Sequence, residues 1–249
     1  MVRLSVNVNK VATLRNSRGG NVPSVIEAVR TCLAAGAPGI TVHPRADRRH
    51  VTPQDVREIA AALRPLRDRV EYNIEGDLRP ELLALVAEVR PHQCTLVPVK
   101  PGEITSEAGW SPETPADEIR RAVSQMREMG VRVSLFVDPE PAAVEWAASL
   151  KADRIELYTE PFARAFEQKG RAAEQSFQKY VQAAARAHEL GMGVNAGHDL
   201  DLDNLVLFRT LGHLDEVSIG HALISRALFV GLKTVVGEYL EALSQSSPR

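Results

Sequence analysis

The chain has 249 residues, of which 44% are hydrophobic and 25% are charged, and its formal net charge is -2. This composition is typical of a soluble globular protein, and the small net charge excludes a broad cationic surface for nucleic acid or membranes. The length suits one α/β barrel, so we expect a single domain over 1–249 with a frayed polar tail at 244–249.

Two further features of the sequence concern the cellular compartment in which the protein works. No stretch reaches the run of about 18 apolar residues that a membrane span needs, and the first residues lack the apolar core of a signal peptide. The two cysteines, Cys32 and Cys94, form no CxxC pair and have no metal-spaced histidine beside them. We therefore expect a cytoplasmic protein in which both are buried free thiols.

Eight short apolar runs rich in β-branched residues are candidate strands. In chain order they are 4–8, 39–42, 70–74, 93–97, 131–137, 154–157, 192–195 and 216–219. Helical patterns separate most of them, for example after the candidate N-cap Thr52 with Pro53 at the first helical position. Helices are also predicted at about 116–129, 172–190 and 222–232, and three helices end at Gly36, Gly130 and Gly191. Repeated βαβ units of this kind predict a closed TIM (β/α)8 barrel.

Two segments between strands are longer than a minimal connection. They are 98–115 and 159–170, and we interpret both as loops. Long loops after barrel strands usually belong to the catalytic face, as lids or oligomer contacts, although each can also be a tolerated surface insertion.

Six candidate strands end in polar, titratable or glycine-containing residues. A strand buried in a parallel barrel is expected to stay apolar along its length, so polar residues gathered at carboxyl ends predict one active site. The clusters are Asn7-Val8-Asn9-Lys10, His43-Pro44-Arg45, Glu75-Gly76, Thr95, Asn195-Ala196-Gly197-His198 and Gly220-His221.

His43 and Glu75 are predicted to meet at the barrel mouth. Because side chains alternate along a strand, Thr41 shares a face with His43, and Asn73 shares a face with Glu75. A shielded histidine and carboxylate suit proton transfer near neutral pH. Taken singly, each has a structural alternative, as an interior histidine and as a salt-bridge partner.

Cationic residues and glycines near other strand ends predict phosphate binding. Three arginines and His50 fall within 45–50, where a solvated charged loop is the alternative, and Arg15 and Arg18 precede a glycine pair. Barrels often bind phosphate after strands seven and eight.

The last two strands each end in Gly-His. We expect His198 to act as an acid or base there, whereas a capping or amide-orienting role for His221 stays equally open. No HExxH motif, carboxylate cluster or Cys/His array indicates a metal, and no GxSxG or dinucleotide fingerprint occurs. A Schiff-base lysine is conceivable at Lys10 or Lys100, without an apolar pocket in the sequence to support it.

Taken together, the residues resemble the pyridoxine 5'-phosphate synthase family of vitamin B6 biosynthesis almost from end to end. The matching blocks are ATLRNSRG at 12–19, GITVHPRADRRH at 39–50, NIE at 73–75, LVP at 96–98, VSLF at 133–136, VNAGH at 194–198 and IGHALISRA at 219–227.

The resemblance implies a TIM (β/α)8 barrel with additional helices, assembled as a homo-octamer and working without metal or organic cofactor. It implies a transferase that condenses 1-deoxy-D-xylulose 5-phosphate with 3-amino-2-oxopropyl phosphate. His43 and Glu75 would be the paired acid/base residues, and His198 a further proton donor. The implied contacts to deoxyxylulose phosphate are Arg45, His50 and Thr105, and those to the amino-oxopropyl phosphate are Asn7, Arg18, Gly220 and His221.

The chain departs from the family pattern at two places. Many members read Asn-x-Asp-His near the first strand, where this chain has Asn9 and Lys10 as candidate substrate contacts, and Asp199 follows His198 where glycine is common. Two other functions stay open on the sequence: a phosphosugar aldolase or isomerase on the same barrel, and a degenerate phosphate-binding barrel without catalysis.

Overall fold

A computed structural model describes residues 2–99, 108–168 and 170–245. Eight parallel strands follow one another around a closed barrel, and the last pairs with the first. This arrangement confirms the predicted TIM (β/α)8 fold. The strands are β1 (Arg3–Asn7), β2 (Gly39–Val42), β3 (Glu71–Gly76), β4 (Gln93–Leu96), β5 (Arg132–Val137), β6 (Arg154–Tyr158), β7 (Gly193–Gly197) and β8 (Leu214–Ile219).

Eleven α-helices lie in the described part of the chain, and two of them follow each of β1, β6 and β8. These pairs supply the additional helices that the resemblance implied. The helices are α1 (Asn9–Asn16), α2 (Val25–Ala34), α3 (Pro53–Leu63), α4 (Pro80–Val89), α5 (Ala116–Glu128), α6 (Pro141–Ser149), α7 (Glu160–Glu167), α8 (Arg171–Glu189), α9 (Leu205–Phe208), α10 (His221–Val230) and α11 (Leu232–Ser244).

The predicted helix boundaries have clear local causes. At the start of α3 the Thr52 side chain accepts a hydrogen bond from the Asp55 backbone, and the Asp55 carboxylate accepts one in return, which forms a capping box. Gly36, Gly130 and Gly191 follow α2, α5 and α8 with φ values of 95°, 74° and 75°. These glycines adopt the left-handed conformation that ends a helix with little strain.

Two boundaries differ from the sequence prediction. The segment 159–170 contains α7 rather than only a loop, because Pro161 lies in the first helical turn, where its missing N–H costs no hydrogen bond. Phe162 of α7 is fully buried. At the other end of the chain, Ser244 is the last residue of α11 rather than part of a tail.

The interior of the barrel carries a polar network, which corrects the expectation that its strands are apolar along their length. The hydroxyls of Ser5 and Thr41 are 2.7 Å apart. Asn73 donates to Thr41 over 3.4 Å and accepts from Thr95 over 3.1 Å. These hydrogen bonds offset the free-energy cost of burying the polar groups. Alternate residues of the same strands join the apolar core that is shared with the helices, including Leu4, Val6, Ile40 and Ile74.

Cys32 and Cys94 are buried free thiols, as predicted. Burial raises the pKa of each to about 12, so neither is a reactive thiolate at neutral pH. Among the helices of the described ranges, none has the length and hydropathy of a membrane span.

Candidate active site

A cavity of about 300 Å³ lies at the carboxyl ends of the strands. Side chains from several strand ends and from the starts of α1 and α10 converge on it. Its lining residues are Asn7, Asn9, Lys10, His43, Arg45, His50, Glu75, Val97, Phe136, Glu156, His198, Asp199, Leu200, Ser218, Ile219, Gly220, His221 and Ala222.

The structure brings together most of the residues that the sequence singled out. The three candidate acid/base residues all line the cavity, as do eight candidate substrate contacts, namely Asn7, Asn9, Lys10, Arg45, His50, Asp199, Gly220 and His221. Arg18 follows the end of α1 and is exposed, and it is not among the described lining residues. Thr105 and Lys100 lie outside the described residues.

His43 and Glu75 lie side by side at the mouth of the barrel, as predicted. The Nδ1 atom of His43 is 3.8 Å from Oε2 of Glu75, which is too long for a hydrogen bond. Asn7 Nδ2 donates to the same Glu75 oxygen over 3.4 Å, and Asn9 Oδ1 accepts from the His43 backbone over 2.8 Å. The other ring nitrogen of His43, Nε2, is buried and has no hydrogen-bond partner among the described residues.

Burial drives these two groups toward their neutral forms. It raises the pKa of Glu75 well above its ordinary value, and the nearby carboxylates of Glu156 and Glu216 raise it further. Burial also lowers the pKa of His43, and electrostatic interactions with His50 and Arg45 lower it further. Burial thus favours the protonated form of the Glu75 carboxyl and the unprotonated form of the His43 imidazole, a combination that can both give and take a proton.

Hydrogen bonds fix the loops that follow β2 and β3 beside this pair. Arg79 donates to the Pro44 carbonyl and to the Asp77 carboxylate, so it ties the loop after β2 to the loop after β3. Asn16 Nδ2, at the end of α1, lies 2.9 to 3.2 Å from the backbone carbonyls of residues 48–50. These contacts hold the His50 loop against α1.

Arg15 is a structural residue rather than the anion contact that its position before a glycine pair suggested. Its guanidinium donates to both carboxylate oxygens of Asp55, over 2.6 and 2.9 Å. This bidentate pair, largely buried, joins α1 to the start of α3.

His50 and His198 both line the cavity, and the pKa of each is lower than its ordinary value. Burial lowers the pKa of His50 to about 4, with Lys10 contributing next. Burial also lowers the pKa of His198, opposed by the carboxylates of Asp199 and Glu160. The His198 ring packs edge-on to the ring of Tyr158, with their centroids 5.4 Å apart.

Gly220 and the start of α10 form another wall of the cavity. A Cβ atom at Gly220 would lie 3.1 Å from Cβ and 3.2 Å from the carbonyl oxygen of Asn7, so a side chain here would require Asn7 to shift by a few tenths of an ångström. His221 is the first residue of α10 and is exposed at the cavity rim. The backbone amides at this helix start suit an anion.

Glu156 is the main cavity residue that the sequence analysis missed. It lies within β6, burial raises its pKa to about 7, and its Oε2 atom has no hydrogen-bond partner in the described ranges. The available signal was a carboxylate in the middle of a strand predicted to be buried. Glu216 of β8 gives the same signal in the barrel interior, where burial raises its pKa to about 8.

Phe136 and Ser218 also line the cavity without having been predicted. Phe136 lies within the VSLF block and contacts Tyr158 and His198, with ring centroids 5.5 and 6.3 Å away. In the described ranges, no three His, Cys, Asp or Glu side chains are grouped so that they could hold a metal ion.

Comparison with known proteins identifies relatives of the whole chain. A pyridoxine 5'-phosphate synthase of Porphyromonas gingivalis is 49% identical over 98% of this chain and 100% of its own length. One from Bacteroides fragilis is 50% identical with the same coverage, and one from Leptospira biflexa is 48% identical over 98% of each chain.

Solved structures support the fold. The 3-hexulose-6-phosphate synthase of Salmonella typhimurium matches with a TM-score of 0.66 at 12% identity, covering 97% of this chain and 98% of its own. Phosphoribosyl anthranilate isomerase of Thermotoga maritima matches with a TM-score of 0.62 at 14% identity, over 98% of both chains. At this identity the likeness concerns the barrel alone. The family described as "Pyridoxal phosphate biosynthesis protein PdxJ" matches residues 4–245, and the chain belongs to it.

Proposed function

We propose that this protein is a pyridoxine 5'-phosphate synthase. It condenses 1-deoxy-D-xylulose 5-phosphate with 3-amino-2-oxopropyl phosphate, and phosphate and water are released as the pyridine ring closes. The observation that carries the proposal is the meeting of His43, Glu75 and His198 at one cavity, in a chain about 50% identical to synthases of this name over its full length.

The protonation states of the site suit this chemistry. Imine formation, dehydration and ring closure each move protons between carbon, nitrogen and oxygen, so they need several poised acids and bases. In the free site burial favours the protonated form of Glu75 and the neutral forms of His43 and His198. Each of these three side chains can act as an acid in one step and as a base in another, because a proton released by one of them can be accepted by another.

Two phosphate anchors would hold the substrates in reacting geometry. We assign Arg45 and His50, on the loop after β2, to deoxyxylulose phosphate, together with Thr105. Arg45 is only 7% exposed, so its charge acts where solvent screening is weak. Remote phosphate binding of this kind can orient flexible substrates for reaction.

The second anchor lies at the ends of β1 and β8. We assign Asn7, Gly220 and His221 to the amino-oxopropyl phosphate, held by the backbone amides at the start of α10. Arg18 is assigned with them, and from its exposed position after α1 it would have to close over the bound phosphate.

Asn9 and Lys10, the residues after β1 that depart from the family pattern, have a physical interpretation. Asn9 accepts a hydrogen bond from the His43 backbone, which positions the catalytic loop. Lys10 lines the cavity and lowers the pKa of both His50 and His198 through its charge. We assign Asn9 and Lys10 to the contacts with deoxyxylulose phosphate, and we also assign Asp199, which is exposed and lines the cavity, as a substrate contact.

Supplying each substrate alone tests the two-substrate reaction. The proposal predicts that neither substrate is converted by itself and that no phosphate is released until both are present. A phosphosugar aldolase or isomerase would instead convert one of them without the other. A degenerate barrel would bind phosphate ligands and convert neither, alone or together.

We also propose that the chain works in the cytoplasm as a homo-octamer. An apolar patch on the last turn of α10 supports self-association, since Leu228 is 69% and Phe229 is 87% exposed. Light scattering of the purified protein would give the mass directly. A Phe229→Glu variant is expected to lower it, and an unchanged octamer would show that the interface lies elsewhere.

A further inference from the structure

The backbone that follows β7 has an unusual conformation beside the cavity. His198 has a φ of 77° and Asp199 a φ of 55°, so two consecutive residues with side chains occupy the left-handed region. Residues other than glycine rarely adopt this conformation, because it costs free energy. Where they do adopt it, the surrounding structure must hold them in place. The site therefore contains a strained turn at one of its proton carriers.

One hydroxyl group lies at the centre of that turn. The Thr159 hydroxyl lies between the backbone carbonyls of Gly197 and His198 and shares its single proton between them in a three-centre hydrogen bond. Two carbonyl oxygens that converge on one point repel each other, and a donor between them offsets the repulsion. Thr159 has 0% exposure, so bulk water cannot take over as the donor if the hydroxyl is removed.

Thr159 is itself held firmly. It follows β6 directly and precedes α7, and its carbonyl accepts from the Ala163 backbone over 3.0 Å. Tyr158, the residue before it, contacts the His198 ring edge-on. The end of β6 thus contacts His198 twice, with a ring against the imidazole and a hydroxyl against the backbone.

We propose that Thr159 is a positioning residue whose hydroxyl fixes the left-handed backbone of His198 and thereby aims its imidazole into the cavity. Without the donor, the peptide after Gly197 is expected to rotate away from the converging arrangement. Thr159 is not among the described residues that line the cavity, so we expect its effect on turnover to pass through His198. The kinetic part of this inference rests on the proposed function, whereas the structural part does not.

Two comparisons between side chains of similar size isolate the effect of the Thr159 hydroxyl. Thr159→Val keeps the branched shape and removes the donor, and Thr159→Ala compared with Thr159→Ser removes it from a smaller side chain. We expect kcat to fall about tenfold or more in the Val and Ala variants, with KM for both substrates within about twofold, and to stay near wild type in the Ser variant. Equal losses in Ser and Ala would overturn the proposal.

A double-mutant cycle shows whether the effect passes through His198. In a His198→Ala background, Thr159→Val should cause no further loss of turnover, because the group that it positions is gone. The same fold-loss in both backgrounds would assign Thr159 a general structural role and refute the proposal.

A crystal structure of the Thr159→Ala variant gives a readout that needs no turnover. The inference predicts that His198 leaves the left-handed region, while the Thr159→Ser structure keeps it. An unchanged His198 backbone in the Ala variant would refute the inference. If the wild-type protein instead formed no pyridoxine phosphate, the proposed function would fail, and the structural comparison would still decide the role of the hydroxyl.

Discussion

Thr41 of β2 is the parallel register partner of Asn73 of β3. Two residues further along each chain come His43 and Glu75, whose facing atoms are 3.8 Å apart. Because side chains on one face of a strand recur every second residue, the register of two buried strands brings this pair together. The proposed acid/base pair thus lies at the ends of two adjacent barrel strands.

Replacing Glu75 by Gln is expected to abolish turnover while leaving the affinity for inorganic phosphate nearly unchanged. The amide keeps the shape of the side chain but carries no transferable proton, and general acid/base groups contribute about 10²- to 10⁴-fold. Steady-state kinetics and phosphate-binding calorimetry measure the two quantities. Exposed Glu241→Gln is the control. Turnover that persists in Glu75→Gln would make Glu75 a structural residue.

Glu156→Gln is expected to lower the pKa of Glu75. Burial is the largest cause of the raised Glu75 pKa, and the Glu156 charge is the next, so removing that charge favours ionisation of Glu75. A ¹³C-carboxyl NMR titration should show the Glu75 transition at lower pH and the loss of the Glu156 transition near 7. Exposed Glu118→Gln should change neither. An unmoved Glu75 transition would disprove the coupling.

Glu216→Gln is expected to stabilise the protein, increasingly so as the pH rises. Burial and the Glu71 charge raise the folded-state pKa of Glu216 to about 8, against an ordinary value of 4.5. The folded state therefore binds more protons than the unfolded state between these values, and the wild type loses stability as the pH rises through them, by about 1.4 kcal/mol for each unit of pKa shift. The gain from Gln should be absent below about pH 4.

Urea unfolding at several pH values measures this effect. The midpoint difference between Glu216→Gln and wild type should grow from pH 5 to pH 8, while exposed Glu241→Gln stays parallel to wild type. A constant difference over that range would mean that Glu216 is already ionised in the folded protein.

Arg45→Gln is expected to raise KM for one phosphorylated substrate by about tenfold to a hundredfold, with a smaller effect on kcat. A buried guanidinium contributes a charge-assisted contact to phosphate in both the ground state and the transition state. The exposed Arg120→Gln on α5 is the matched control. An unchanged KM for both substrates would exclude Arg45 as a phosphate anchor.

The parts of the site that the sequence predicted are those that follow from strand periodicity. His43, Glu75 and His198 stand directly at strand ends, so their approximate location follows from recognising the strands. The Arg15 partner, Asp55, is 40 residues away in the chain, and no local pattern reveals such a pairing. Glu156 was missed because a single carboxylate in a short strand looks like an exposed position until the strand is known to be buried on both faces.

The absence of long-range information in a local sequence pattern also explains where the predicted fold differs from the structure. The polar network of Thr41, Asn73 and Thr95 depends on the register of three strands, which a linear pattern does not specify. The segment that contains α7 was predicted to be a loop because it lies between a strand and a long predicted helix and is longer than a minimal connection, whereas Pro161 is compatible with the first turn of a helix. Burial of Phe162 against the core stabilises this helix.

The most direct test is to incubate the purified protein with deoxyxylulose phosphate and freshly generated 3-amino-2-oxopropyl phosphate, without added metal. Pyridoxine phosphate is followed by its absorbance, and released phosphate is assayed in the same samples. We predict that product and phosphate appear in equal amounts. No product, despite tight binding of either phosphorylated substrate, would contradict the account and indicate a barrel that binds phosphate ligands without catalysing their condensation.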